Sequence, residues 1–122
     1  MSERQRPEAA PEAPEITRED LKAKMDRGDR FVLVDALSQG HYASSHLPGA
    51  VNLPYEFVDE AEKVLSDKSA DIIVYCMNVD CEASRLEARE LVGMGYANVR
   101  HYAAGKQDWI RAGLPVEGRR AK

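Results

Sequence analysis

Cysteine is scarce in this chain: Cys76 and Cys81 are the two in 122 residues. They lie so close that a bond between them would close only a short loop, which excludes a disulfide framework. In a reducing compartment such a pair is more often chemical than structural. No apolar run approaches the length needed to cross a bilayer, and the N-terminus lacks the positive start and apolar stretch of a secretory signal. These absences predict a soluble cytoplasmic protein with no membrane partner. Excess positive charge is missing too: 17 Lys and Arg stand against 21 Asp and Glu, a net charge of -4 with pI near 5.4. Phosphate binding rests on clustered cations, so nucleic acid is not expected as a partner. The basic Arg119, Arg120 and Lys122 are too few to change that. No internal repeat is visible. His41, His46 and His101 show no ligand spacing, and two thiolates alone leave a tetrahedral site half empty, so no metal and no cofactor is expected.

What is present suits one globular domain, with 43% hydrophobic and 31% charged residues. Residues 1–14 hold Pro7, Pro11 and Pro14 among Glu, Ala, Arg and Gln and offer little to bury, which predicts a disordered tail or tether. The domain is expected over 15–117, with a short basic tail at 118–122. Thr17 is placed to cap a helix carrying Leu21 and Met25 on one face, and Gly28 to stop it. Phe31-Val32-Leu33-Val34, ending at Asp35, and Ile72-Ile73-Val74-Tyr75, ending at Cys76, are continuous β-favouring runs, the pattern of strands covered on both faces. Between them helical character is expected from about Glu56 to Leu65. A second helix follows Cys81, with Ala83, Leu86 or Glu87, Leu91 and Met94 near helical spacing and Gly95 closing it. Asn98–Tyr102 reads as a last strand, and a short helix around Trp109 follows Gly105. Alternating strands and helices imply an α/β fold with a parallel sheet and helices on both faces, and ligands bind beyond the carboxyl ends of such strands.

Asp35 and Cys76 fall at two of those ends. From Cys76 the chain runs through Met77, Asn78, Val79, Asp80, Cys81 and Glu82 into the helix. Backbone N–H groups converging from such a loop, and the positive end of the helix, favour thiolate over thiol, so the sequence predicts a reactive Cys76 anion near neutral pH. The same donors suit an anionic sulfur donor or the end of a persulfide.

These features together resemble the rhodanese family of sulfurtransferases. The resemblance covers about residues 15–117 and is carried by Val34-Asp35, His46-Leu47-Pro48-Gly49-Ala50-Val51-Asn52-Leu53-Pro54, Val74-Tyr75-Cys76, Gly95-Tyr96-Ala97-Asn98-Val99, Gly105 with Trp109, and Gly113-Leu114-Pro115-Val116. It implies a single five-stranded parallel domain in which Cys76 carries sulfane sulfur as a persulfide. It also implies that the loop of Met77, Asn78, Val79, Asp80 and Glu82 supplies anion-binding backbone, that Asp35 supports the loop, and that the His46 turn is structural. A small sulfur donor, thiosulfate or a persulfide, and a thiol acceptor are the implied partners, with a protein partner as a further option. A subset of the family has a similar second cysteine followed by a residue, Ala and Ser, here Cys81-Glu82-Ala83-Ser84, which makes Cys81 a candidate resolving thiol; a small core hydrophobe is the competing reading.

The loop departs from the family's usual small or basic residues. It holds no cation, Asp80 and Glu82 would repel thiosulfate, Leu37 stands where many relatives have Arg, and Ala104 precedes Gly105 where a Gly pair is usual. Thiosulfate is therefore expected to be a poor donor. Phosphatases that share the fold need an Arg where this chain has Glu82, which disfavours that activity. A non-catalytic binding or regulatory module and a Cys76/Cys81 thiol redox protein remain the alternatives to a sulfurtransferase.

Overall fold

Thr17 sets the entry into the fold. Its Oγ1 accepts the Asp20 N–H at 3.0 Å and caps α1 (Arg18–Arg27), which ends at Gly28 in the left-handed conformation. The computed structural model describes residues 12–119. Most of the expected tail at 1–14 and the end of the basic tail at 118–122 lie outside the described residues. Within them, Ala13 is buried and the Pro14 carbonyl accepts the His101 N–H at 2.9 Å.

Four parallel strands follow: β1 (Val32–Asp35), β2 (Val51–Asn52), β3 (Asp71–Tyr75) and β4 (Asn98–Tyr102), in the order β2-β1-β3-β4. The five strands implied by the resemblance are not reached: beside β4 lies one isolated parallel bridge, between Glu15 and His101. Pro14 has no N–H to extend the ladder, and Thr17 already turns the chain into α1, so pairing stops there. The corrected architecture is a four-stranded sheet.

Around it lie α2 (Gln39–Ser44), a 3-10 turn (Tyr55–Glu60) that leads into α3 (Ala61–Val64), α4 (Ala83–Gly93) and α5 (Gly105–Arg111). The helix expected over 56–65 is broken, because Phe57 leaves the helical region (φ -109°, ψ 18°) with its ring half exposed. Side chains alternate across β3. Ile72, Val74 and Cys76 enter one core with Ala88 and Leu91 of α4, while Ile73 and Tyr75 enter the other with Leu21, Leu47 and Trp109. Ile72, Ile73 and Val74 are fully buried, each worth roughly 1.5–3 kcal/mol by area, which anchors the strand that delivers Cys76. Among the described residues no helix is long and apolar enough to cross a membrane.

Candidate active site

The strand register sets the site. Asp35 of β1 pairs with Tyr75 of β3, and Tyr75 with Tyr102 of β4, so Cys76 is the first residue beyond the carboxyl end of a central strand. It then meets two helices. Its carbonyl accepts the Lys106 N–H at 2.8 Å, and the Met77 carbonyl accepts the Gln107 N–H at 2.8 Å, tying the loop to α5. Gly105 makes this approach possible. Its φ is 78°, and a Cβ there would lie 2.7 Å from the Met77 carbonyl carbon and oxygen.

The thiol faces α4. Cys76 is 1% exposed; its Sγ lies 3.3 Å from both the Cys81 carbonyl oxygen and Ser84 Oγ, and accepts the Ser84 N–H at 3.4 Å. The Cys81 N–H instead donates to the Asn78 carbonyl, and the Asp80 N–H to Asn78 Oδ1. The backbone donor on the sulfur itself is the Ser84 N–H. Burial dominates the electrostatics and, with the neighbouring Cys81 thiol, pushes Cys76 up to about 11 against the opposing help of Ser84. This direction opposes the low-pKa thiolate expected from the loop and helix start.

Of the remaining loop residues, Met77 and Asn78 are half-buried, and Asn78 Nδ2 donates to Gln107 Oε1 at 3.3 Å. Val79, Asp80 and Glu82 are exposed, and Cys81 is partly buried. Glu82 is paired with Arg85, one turn into α4. The loop has no cation, but the helix it enters supplies one, and the expected repulsion of anions by Glu82 is offset.

Asp35 is fully buried and reaches the residue before Cys76. Its Oδ2 accepts the Tyr75 hydroxyl at 2.7 Å, its Oδ1 accepts the Leu37 N–H at 2.9 Å, and the Tyr75 hydroxyl in turn accepts the Leu47 N–H at 2.9 Å. Burial raises the Asp35 carboxyl, while Tyr75, the Leu37 N–H, Lys106 and His46 lower it. Asp35 is thus bonded to the strand ends, with Tyr75 as intermediary to the 46–50 turn. His46 stacks on Tyr42 at 3.9 Å, places Nδ1 2.7 Å from the Tyr42 carbonyl and exchanges backbone bonds with Glu117, which makes it a turn fixer. Trp109 is fully buried and donates to the Pro115 carbonyl at 2.8 Å. Among the described residues no cluster of His, Cys, Asp or Glu is arranged to hold a metal.

Four residues near the site carried no role in the sequence reading. Ser84 forms the floor under the sulfur. Lys106 is buried with Nζ on the carbonyls of His41 (3.2 Å) and Ser45 (2.7 Å), and burial lowers its pKa. Glu87 is fully buried on the same face of α4 as Ser84, both carboxyl oxygens lack partners, and burial together with Asp35 pushes it up to about 9. His101 is 5% exposed with Nδ1 unpartnered, and burial lowers its pKa. The helical spacing that left Leu86 or Glu87 open resolves in favour of Glu87. The i, i+3 and i, i+7 steps from Ser84 to Glu87 and Leu91 were the available signal.

Comparison with known proteins places this geometry. The family model of the Rhodanese-like domain matches residues 17–112. Thiosulfate sulfurtransferase GlpE of Haemophilus influenzae is 35% identical over 103 residues, covering 84% of this chain and 93% of its own. An HTH-type transcriptional regulator of Mycobacterium tuberculosis is 32% identical over 103 residues, and there the chain spans 44% of the relative. It spans 23% of a Candida albicans adenylyltransferase and sulfurtransferase and 54% of a sulfur carrier protein of Bacillus subtilis described as putative, so several curated relatives are much longer. The solution structure of the Rhodanese-like domain from an Anabaena protein superposes with a TM-score of 0.79 at 29% identity, covering 88% of this chain and 80% of that one. A Bacillus halodurans protein superposes with a TM-score of 0.82 at 24% identity over 89% and 80% of the two chains, a likeness of fold. A strand-end cysteine under the start of α4, on a parallel sheet matched over this length, assigns the chain to the rhodanese-like domain family.

Proposed function

We propose that this protein is a sulfurtransferase that carries sulfane sulfur as a persulfide on Cys76 and passes it to a thiol. The observation that carries the reading is the setting of Cys76 Sγ, at the carboxyl end of β3 and against the N–H and hydroxyl of Ser84. In the loading step the Cys76 thiolate attacks the outer sulfur of the donor. With thiosulfate, the S–S bond breaks, sulfite leaves with its electron pair, and Cys76 holds the sulfur. The resting thiol must first lose its proton, and Ser84 helps stabilise the anion. This need, with the exposed Asp80, supports a neutral or weakly charged persulfide as a better donor than thiosulfate. Cys81, beside Cys76, is suited to act as a resolving thiol. Both cysteines are free, which suits a reducing cytoplasm.

The test is intact mass after incubation with thiosulfate or a low-molecular-weight persulfide. An increment of about 32 Da that a reductant removes, absent from Cys76→Ser, supports the reading. An unaltered wild-type mass, or the same increment on Cys76→Ser, refutes it. A second reading, a regulatory module, is favoured by the burial of Cys76 and by the likeness to part of a transcriptional regulator. Retention of biological function by Cys76→Ser would select it.

A further inference from the structure

Lys106 touches no reacting atom, yet it is bonded to Cys76. It is 3% exposed, in the first turn of α5, and it is anchored through both its backbone and its side chain. The backbone N–H donates to the Cys76 carbonyl at 2.8 Å, and the next one, from Gln107, to the Met77 carbonyl at 2.8 Å. No side chain caps this helix, so the loop carbonyls satisfy the orphan donors of its first turn. The side chain reaches α2. Its Nζ donates to the carbonyls of Ser45 at 2.7 Å and His41 at 3.2 Å, where the orphan carbonyls of a helix end favour a cation. One residue thus joins the amino end of α5, the carboxyl end of α2 and the backbone of Cys76. The Cys76 sulfur is held separately, by the N–H and hydroxyl of Ser84 at 3.4 and 3.3 Å. Cys76 is therefore clamped between two helices, α5 on its carbonyl and α4 on its sulfur.

We infer that Lys106 is a positioning residue for Cys76: its ammonium docks the first turn of α5 on the end of α2, and that turn holds the carbonyl of the residue whose sulfur reacts. The inference rests on the sulfurtransferase reading and adds the residue that fixes the geometry of the reacting cysteine. Burying an ammonium is costly, and a methionine of similar length would fill the space without that cost. What offsets the cost is also what the charge holds in place: two carbonyls of α2 and, through space, the Asp35 carboxylate. Asp35 raises the Lys106 ammonium against the lowering effect of burial, and Lys106 in return lowers the Asp35 carboxyl. That carboxyl accepts the Tyr75 hydroxyl at 2.7 Å, one residue before Cys76. The other titratable groups facing Asp35 are Tyr42 of α2, His46 of the following turn and Glu87 of α4. Loss of the ammonium therefore acts twice. It frees α5 from α2, and it shifts Asp35 toward its neutral form, which weakens the bond that holds the end of β3.

The experiment compares full-length wild type with Lys106→Met, which keeps the length of the side chain and removes its charge. Single-turnover loading of Cys76 from a low-molecular-weight persulfide, on protein that urea unfolding shows to be folded, is expected to slow about tenfold to 100-fold. Loading within about twofold of wild type would overturn the inference. Amide hydrogen exchange separates positioning from stability. At positions 106 and 107, whose N–H groups bond to Cys76 and Met77, exchange should quicken by a factor at least about tenfold larger than at Val74 in β3 and Leu91 in α4. Equal quickening at all four positions, or none, would show that the lysine serves only overall stability and would overturn the role. The Asp35 carboxyl, assigned by its loss in Asp35→Asn, should titrate at a higher pH in Lys106→Met than in wild type; an unchanged titration counts against the inference in the same way. If Lys106→Met does not fold, wild type decides. Its Lys106 ammonium protons, bonded to two carbonyls, should be seen by NMR in slow exchange with water, and their averaging with water, as at an exposed lysine, overturns the inference. Failure of wild type to load would sink the sulfurtransferase reading alone, since exchange and titration need no persulfide.

Discussion

Glu87 makes the sharpest physical prediction. Its carboxyl is fully buried on α4 with neither oxygen bonded, and its pKa rises from an ordinary 4.5 to about 9. The folded protein therefore keeps a proton that the unfolded chain releases once the pH passes 4.5. Because the folded value is the higher one, stability is greatest below pH 4.5, falls as pH rises, and levels off only above about 9. Each pH unit in that window costs up to about 1.4 kcal/mol, so between pH 5 and pH 8 the loss has a ceiling of ~4 kcal/mol. Relaxation and water penetration reduce it to an expected ~2–4 kcal/mol. Glu87→Gln removes the titration while keeping the shape. A buried unpaired amide also costs stability, but by the same amount at every pH. Urea unfolding of both proteins across pH 5 to 8, at matched salt, isolates the difference. The variant should gain on wild type steadily as the pH rises. Parallel stability curves, within ~0.5 kcal/mol over the window, would show that Glu87 is hydrated or paired and that the reasoning fails.

Three further outcomes follow from the geometry. Gly105→Ala forces a Cβ to 2.7 Å from the Met77 carbonyl at a left-handed φ, so it should cost about 1–3 kcal/mol in unfolding free energy and slow sulfur loading at Cys76; an unperturbed variant would contradict the close approach. Tyr75→Phe leaves Asp35 Oδ2 and the Leu47 N–H without their partner, at a cost of ~1–3 kcal/mol by thermal or chemical denaturation, with the loss greater when Asp35 is ionised. Iodoacetamide with peptide mapping should label the partly buried Cys81 ahead of Cys76. The Cys76 rate should climb about tenfold per pH unit from pH 7 toward 10, since its thiolate becomes dominant only near pH 11. Labelling of Cys76 first at pH 7 would argue for an open, ionised site.

The chain's fold was legible where one residue type has one physical outcome. Two unbroken apolar runs read as strands covered on both faces, and the alternation of strands and helices as a parallel sheet, which put Asp35 and Cys76 at the carboxyl ends of two strands. Thr17 and Gly28 bounded α1 through local hydrogen bonding and a backbone conformation. The number of strands was not legible, because pairing of the leading segment beside β4, here one bridge at Glu15, depends on tertiary docking. The broken segment at Phe57 likewise depends on packing rather than on spacing.

Local sequence determined that a thiol would stand at the end of a buried strand, followed by a second thiol just before a helix. Tertiary structure alone decided the charge state of that thiol and what lies beside it. A pKa is set by burial and by the orientation of neighbours from other elements, and here burial outweighs the Ser84 N–H. The same holds for Glu87, His101 and Lys106, whose residue types belong at a surface. Only the tertiary packing of the helices and of the leading segment against the sheet buries them.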